Sequence, residues 1–171
     1  GTVYDLLVGH EVGHALYTPA DNWMEDYPDV PPSYVNVLED VRIEKLMKLK
    51  YAGLAKTFHN GYSQLADQDF FELSQHDLED MGLADRINIH YKIGKFENVS
   101  FNEDEQDFVD KAFRTETFQD VLELAQELYE FIKDQEEMMT KLDDLEFTFG
   151  QESSSGQGIP IQPSDSDDGI E

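Results

Sequence analysis

Two histidines and a glutamate near the start of the chain have the spacing of a zinc-binding helix. His10, Glu11 and His14 form a His-Glu-x-x-His motif, and residues four apart lie on one face of an α-helix. Two imidazoles placed in this way can bind one zinc ion, and the adjacent glutamate can act as general base toward a water molecule. The motif therefore predicts metal-assisted hydrolysis. The alternative is a pair of packed core histidines beside a solvated glutamate.

The residues around the motif predict the helix that carries it. An apolar stripe from Val3 to Tyr17 includes both histidines at helical spacing. Pro19 should end this helix soon after His14, because the residue before a proline is disfavoured in the helical conformation. We therefore expect both imidazoles to point into the protein near the last turn of the helix.

A second predicted helix, over residues 33–50 with Ser33 as its N-cap, offers a third zinc ligand. Glu39 falls in the middle of its apolar face, where an unpaired carboxylate is costly to bury and a cation is the usual partner. Zinc is one candidate cation and Arg42 is the other. Two interpretations follow, a Glu39 zinc ligand or a Glu39–Arg42 ion pair that needs no metal.

Other side chains are candidates for supporting roles. Asp40 lies at the edge of the same helix face, so we expect it to orient the ligands, and Asn36 and Arg42 are further candidates for that role. The oxyanion that forms during hydrolysis commonly receives a hydrogen bond from a Tyr or a His. Tyr62 and His90 are available for this, although each has an alternative, structural role.

Composition predicts one globular domain and restricts its partners. The chain has 171 residues with 38 acidic and 12 basic side chains, giving a net charge of −26. Such a charge disfavours direct binding to nucleic acid or to anionic membranes. No stretch is apolar enough to span a bilayer and no secretory signal is visible, so a cytoplasmic location is expected. Without cysteine, a transition metal must be bound by His, Asp or Glu.

The rest of the chain predicts further helices and a polar tail. Thr117 and Asp120 are a plausible capping pair for the last helix. From Gly150 onward the sequence is polar and acidic, which indicates a folded domain over 1–149 and a disordered linker over 150–171. The fold class expected is mainly α. The further helices are expected at about 54–67, 77–93, 103–115 and 118–143.

The helix with His-Glu-x-x-His, followed by a glutamate on a second helix, resembles the gluzincin zinc peptidases. The segment Val37–Glu44 is similar to the metallopeptidase-like region attached to von Willebrand A domains, a group with cobaltochelatase CobT-like proteins and phage-encoded predicted peptidases. The resemblance covers about residues 1–95. It implies a zincin-like core whose N-terminal sheet would precede residue 1, and a von Willebrand A domain after the acidic linker. It also implies zinc ligands His10, His14 and Glu39, with Glu11 as the catalytic base.

The resemblance implies a peptidase that acts on peptides or proteins in the cytoplasm, or in the host cytoplasm for a phage protein. The alternative is a catalytically silent zinc-binding adaptor that couples an AAA-type ATPase to a von Willebrand A partner in a chelatase-like assembly. An adaptor has no need of a general base, so Glu11 favours the enzyme. Many gluzincins also place an acidic residue four positions after the ligand glutamate, and counted from Glu39 that position is Ile43.

Overall fold

The structure is a computed structural model that describes residues 1–154. Over that range every regular element is helical, so the prediction of a mainly α chain is confirmed. The α-helices are α1 (Thr2–Tyr17), α2 (Pro32–Lys50), α3 (Leu54–Asp67), α4 (Leu83–Ile93), α5 (Glu103–Arg114) and α6 (Phe118–Ser154). Two 3₁₀ turns, Trp23–Glu25 and Leu78–Asp80, lie in the connections.

The helix predicted over 77–93 is interrupted. Its first part is the 3₁₀ turn Leu78–Asp80, and α4 begins only at Leu83. Met81 and Gly82 lie between them in extended conformations, with ψ angles of 144° and 157°. The prediction of one continuous helix was therefore wrong, although its second part, Leu83–Ile93, is helical as expected.

The start of α2 also differs from the prediction. Pro31 is the N-cap and Pro32 the first helical residue, so Ser33 lies inside the helix and does not cap it. A proline suits the first helical position, because the N–H that it lacks would have no partner there.

Helix α6 is longer than predicted. It begins at the expected place, where the Asp120 N–H donates to Thr117 Oγ1 over 3.0 Å and the Thr117 N–H donates to Asp120 Oδ2 over 3.0 Å. It continues to Ser154, so residues 150–154 of the predicted linker are helical. The remainder of that linker, 155–171, lies outside the described residues. None of the described helices, α6 included, is long and apolar enough to cross a membrane.

The chain divides into two compact units, residues Gly1–Lys133 and the residues from Asp134 onward. In the first unit, the buried apolar residues form two clusters, and α2 contributes to both of them. One cluster joins α2 to α4, α5 and α6, and the other joins α1 to α2, α3 and α4. In the second unit, the described part is helical and its apolar side chains, such as Met138 and Leu142, are exposed.

Glycines allow α1 to pack closely against its neighbours. A Cβ atom on Gly13 would lie 2.9 Å from Met47 Cγ and 3.0 Å from Ile43 Cδ1, both on α2. A Cβ atom on Gly61 of α3 would lie 2.5 Å from Leu6 Cβ on α1. These approaches are shorter than ordinary contacts, so only glycine fits without a shift. The close packing brings the motif helix against α2.

Candidate metal centre

Helices α1 and α2 bring His10, His14 and Asp40 together at one point. Asp40 Oδ1 lies 2.9 Å from His14 Nε2 and 3.3 Å from His10 Nε2. The two Nε2 atoms are 3.1 Å apart. These three residues, which we call the metal centre, are thus a group that could hold a metal ion. The pair of imidazoles predicted from their spacing does face one shared point.

The second nitrogen of each imidazole is engaged elsewhere. His10 Nδ1 lies 2.9 Å from Glu44 Oε1, and His14 Nδ1 lies 2.9 Å from Thr18 Oγ1. When the ring is neutral and Nδ1 donates to this carboxylate, the Nε2 lone pair is directed at the metal centre. Glu44 is buried and also accepts a hydrogen bond from the Tyr62 hydroxyl. Glu44 therefore holds the ring of His10 with its Nε2 atom toward His14 and Asp40.

Asp40 and His10 have strongly altered acidities. Burial alone would raise the pKa of Asp40, but hydrogen bonds to both histidines and the charge of Lys92 hold it well below its usual range. Lys92 Nζ lies 3.0 Å from Asp40 Oδ2. Burial alone would lower the pKa of His10, yet hydrogen bonds to Asp40 and Glu44 raise it to about 9. A proton thus occupies the metal-free centre at neutral pH, and a cation would replace it.

Glu39, the expected ligand, is not part of this group. Its Oε1 accepts a hydrogen bond from Arg42 Nε over 2.8 Å and lies 2.6 Å from Arg42 Nη2. Of the two interpretations of Glu39, the structure therefore has the ion pair with Arg42. Arg42 Nη2 also donates to the Tyr17 carbonyl over 2.8 Å, and Nη1 donates to the Glu116 carbonyl over 3.2 Å. The pair therefore connects α2 to the end of α1 and to the segment between α5 and α6. Glu39 Oε2 is buried and has no hydrogen-bond partner among the described residues.

The difference between Glu39 and Asp40 has a physical reason. Successive residues on a helix are rotated by about 100°, so the two carboxylates face different surroundings. Glu39 is only 2% exposed, and burial raises its pKa to about 7 despite Arg42. The Asp40 side chain is 16% exposed and lies at the edge of the helix face, next to α1. The structure thus places in the ligand group the residue that we expected to orient the ligands.

The predicted base Glu11 lies beside His10 on α1 and is exposed. Its carboxylate forms no hydrogen bond or ion pair with any described residue. Asn36 is also exposed, on α2, and is not among the residues that contact the metal centre.

The two candidate oxyanion donors contact other groups in this structure. Tyr62 donates its hydroxyl to Glu44, and burial together with that carboxylate raises its pKa far above the usual value. The ring of His90 packs against Tyr91 at 5.0 Å and Phe101 at 5.5 Å between ring centroids, and burial lowers its pKa. Tyr62 thus contacts the carboxylate that holds His10, and His90 packs among aromatic rings.

Sequence reasoning missed three supporting residues. Glu44 and Thr18 could have been found, because each lies four residues after a member of the metal centre, Asp40 and His14 respectively. Lys92 carried no such signal, since it comes from α4 and is 52 residues from Asp40 in the sequence. No protein-family model, curated protein or solved structure gives a significant match to this chain.

Proposed function

We propose that the protein is a zinc-dependent peptidase, with His10, His14 and Asp40 as zinc ligands and Glu11 as general base. The observation that carries this proposal is the convergence of two Nε2 atoms and one carboxylate oxygen within 3.3 Å of one another. Catalytic zinc sites typically have three protein ligands of these types and a remaining position for water or substrate.

The donor set and its exposure fit zinc in a catalytic role. Imidazole nitrogen suits zinc, and a carboxylate completes the set in a chain without cysteine. The side chains of His14 and Asp40 are 28% and 16% exposed, so the metal centre borders solvent. A purely structural zinc site is closed by a fourth protein ligand, whereas only these three residues form such a group in the described part of the chain.

The spacing of the supporting carboxylate agrees with the gluzincin-like resemblance once Asp40 replaces Glu39 as the ligand. Counted from Asp40, the acidic residue four positions later is Glu44, and it holds His10 Nδ1 at 2.9 Å. Such carboxylate–histidine pairs fix the ring and increase its basicity as a ligand. The proposal therefore keeps the resemblance to gluzincin peptidases, with Asp40 in place of Glu39 as the third ligand.

In the proposed hydrolysis, different side chains transfer the proton and hold the metal ligands. Bound zinc would supply Lewis acidity, which makes water more acidic and polarises a peptide carbonyl. Glu11 would take the proton from the attacking water and return it to the leaving amine. Glu44 and Thr18 hold the two imidazoles, while Lys92 binds the second oxygen of Asp40. These supporting groups keep the three ligands aligned.

Replacement of the base tests the proposal directly. Glu11→Gln should bind zinc like the parent but lose hydrolysis of a peptide library, because it removes a base and leaves every ligand. Glu137→Gln, an exposed change on α6, is the matched control and should keep both properties. Zinc binding without cleavage in the parent would favour the adaptor instead. Cleavage by Glu11→Gln at the parental rate would refute the mechanism.

A further inference from the structure

A pocket of about 420 Å³ between α2, α3 and α4 is lined by several basic side chains. Lys48, Lys92 and Lys95 line it together with His59 and His90, and no acidic residue is among its lining residues. The whole chain has only 12 Lys and Arg against 38 Asp and Glu. This basic pocket therefore has a local charge opposite to that of the protein as a whole.

Two of the lysines are available to a ligand. Lys92 is paired with Asp40, but Lys48 and Lys95 are exposed and form no ion pair with any described residue. Lys48 Nζ lies 5.6 Å from the centroid of the Phe58 ring, a contact that keeps its charge at the pocket wall. The acidic surface elsewhere is screened over about 8 Å at physiological ionic strength. The ammonium groups of Lys48 and Lys95 are thus charges on the pocket lining that have no carboxylate partner among the described residues.

The basic pocket adjoins the metal centre. Tyr62 lines the pocket and donates its hydroxyl to Glu44, which holds His10. Lys92 also lines the pocket and contacts Asp40. Side-chain contacts through Lys92 and Tyr62 thus join the pocket lining to the metal centre. The remaining walls include Phe58 and Phe96, which suit the methylene groups of a short acidic side chain.

We propose that the basic pocket binds the side-chain carboxylate of an acidic residue in a peptide substrate, with Lys48 and Lys95 as its partners. This inference rests on the proposed peptidase function for the identity of the ligand. It adds a substrate class, peptides with Glu or Asp near the bond to be cleaved. It assigns the two lysines a role in specificity.

Binding of a small probe tests the basic pocket without catalysis. N-acetyl-L-glutamate α-amide is titrated into the zinc-loaded full chain and followed by NMR, beside the neutral glutamine analogue. We expect the glutamate probe to bind at least fivefold more tightly. The Lys48→Gln, Lys95→Gln double variant should weaken it by about three- to tenfold, as expected for partly exposed charges. A double control, Lys56→Gln with Lys133→Gln, removes the same charge from exposed positions outside the pocket lining.

Equal binding of both probes would overturn the inference. So would binding that the pocket variant does not weaken, which would place the carboxylate on the metal alone. A loss of the same size in the control variant would mean that only net charge matters, and it would also overturn the inference.

Cleavage of matched peptides separates this inference from the proposed function. Amide-terminated peptides that differ only by Glu or Gln beside the cleaved bond are compared, together with free-acid versions. We expect a kcat/KM preference of at least threefold for Glu, reduced in the double pocket variant. Equal cleavage of Glu and Gln peptides, or a preference for a free C-terminus alone, would overturn the pocket inference and leave the peptidase intact. Probe binding without any cleavage would support the pocket and contradict the peptidase.

Discussion

Substitutions at Glu39 and Asp40 give the sharpest prediction for this protein, because Asp40 is the proposed zinc ligand and Glu39 is paired with Arg42. Asp40→Asn removes the charge of the only carboxylate in the metal centre, whose Oδ1 lies 2.9 and 3.3 Å from the two Nε2 atoms. Glu39→Gln removes the partner of Arg42 in a buried ion pair. The first change should weaken zinc binding, and the second should lower the free energy of unfolding.

The magnitudes follow from the two environments. Binding of structural zinc by four ligands is worth about 10–16 kcal/mol, so one ligand contributes about 3 kcal/mol, or about a hundredfold in zinc affinity. Breaking a buried ion pair by removal of one partner costs about 3–5 kcal/mol. Both Glu39 and Arg42 are at most 4% exposed, so solvent does little to reduce that cost.

Two measurements separate the effects. Zinc affinity is read by competition with a chromophoric chelator, and stability is read by urea unfolding of the metal-free protein. Asp40→Asn should lose about a hundredfold in affinity with a smaller change in metal-free stability. Glu39→Gln should lose stability and keep zinc affinity within about threefold. A Glu39→Gln protein that is stable but cannot bind zinc would refute this assignment of the ligands.

Three further outcomes are expected. Glu44→Gln should lower zinc affinity by about 10–100-fold, because Glu44 holds His10 Nδ1 at 2.9 Å; an unchanged affinity in chelator competition would count against that role. Zinc binding at pH 7 should release about one proton from His10, whose pKa is raised to about 9. Affinity should therefore rise with pH up to about 9, which calorimetry in buffers of different ionisation enthalpy can check. Gly61→Ala should destabilise the protein by about 1–3 kcal/mol, since its Cβ would lie 2.5 Å from Leu6 Cβ; urea unfolding at the parental midpoint would contradict this.

Local spacing accounts for what the sequence predicted well. The histidine pair needs only that Thr2–Tyr17 is helical, and the Thr117–Asp120 cap needs only contacts within one turn. The mainly α character follows from the same local patterns. These features depend on neighbours in sequence, so a single chain is sufficient to predict them.

Features that depend on packing between helices could not be predicted in the same way. The burial of Glu39 was correctly expected from its position on an apolar face. Whether Glu39 faces Arg42 or a metal ion held by the two histidines depends on how α1 packs against α2. That packing is governed by contacts such as Gly13 against Met47. Lys92 reaches Asp40 only because α4 packs on α2. The same applies to the basic pocket, whose lysines come from two distant segments.

The most direct test of the account is a crystal structure of the zinc-loaded protein with anomalous diffraction at the zinc edge. The account predicts one strong peak at about 2.0–2.1 Å from Nε2 of His10 and of His14, and at about 2.0–2.2 Å from a carboxylate oxygen of Asp40. A peak coordinated by Glu39 in place of Asp40, or no peak between the two histidines, would contradict it.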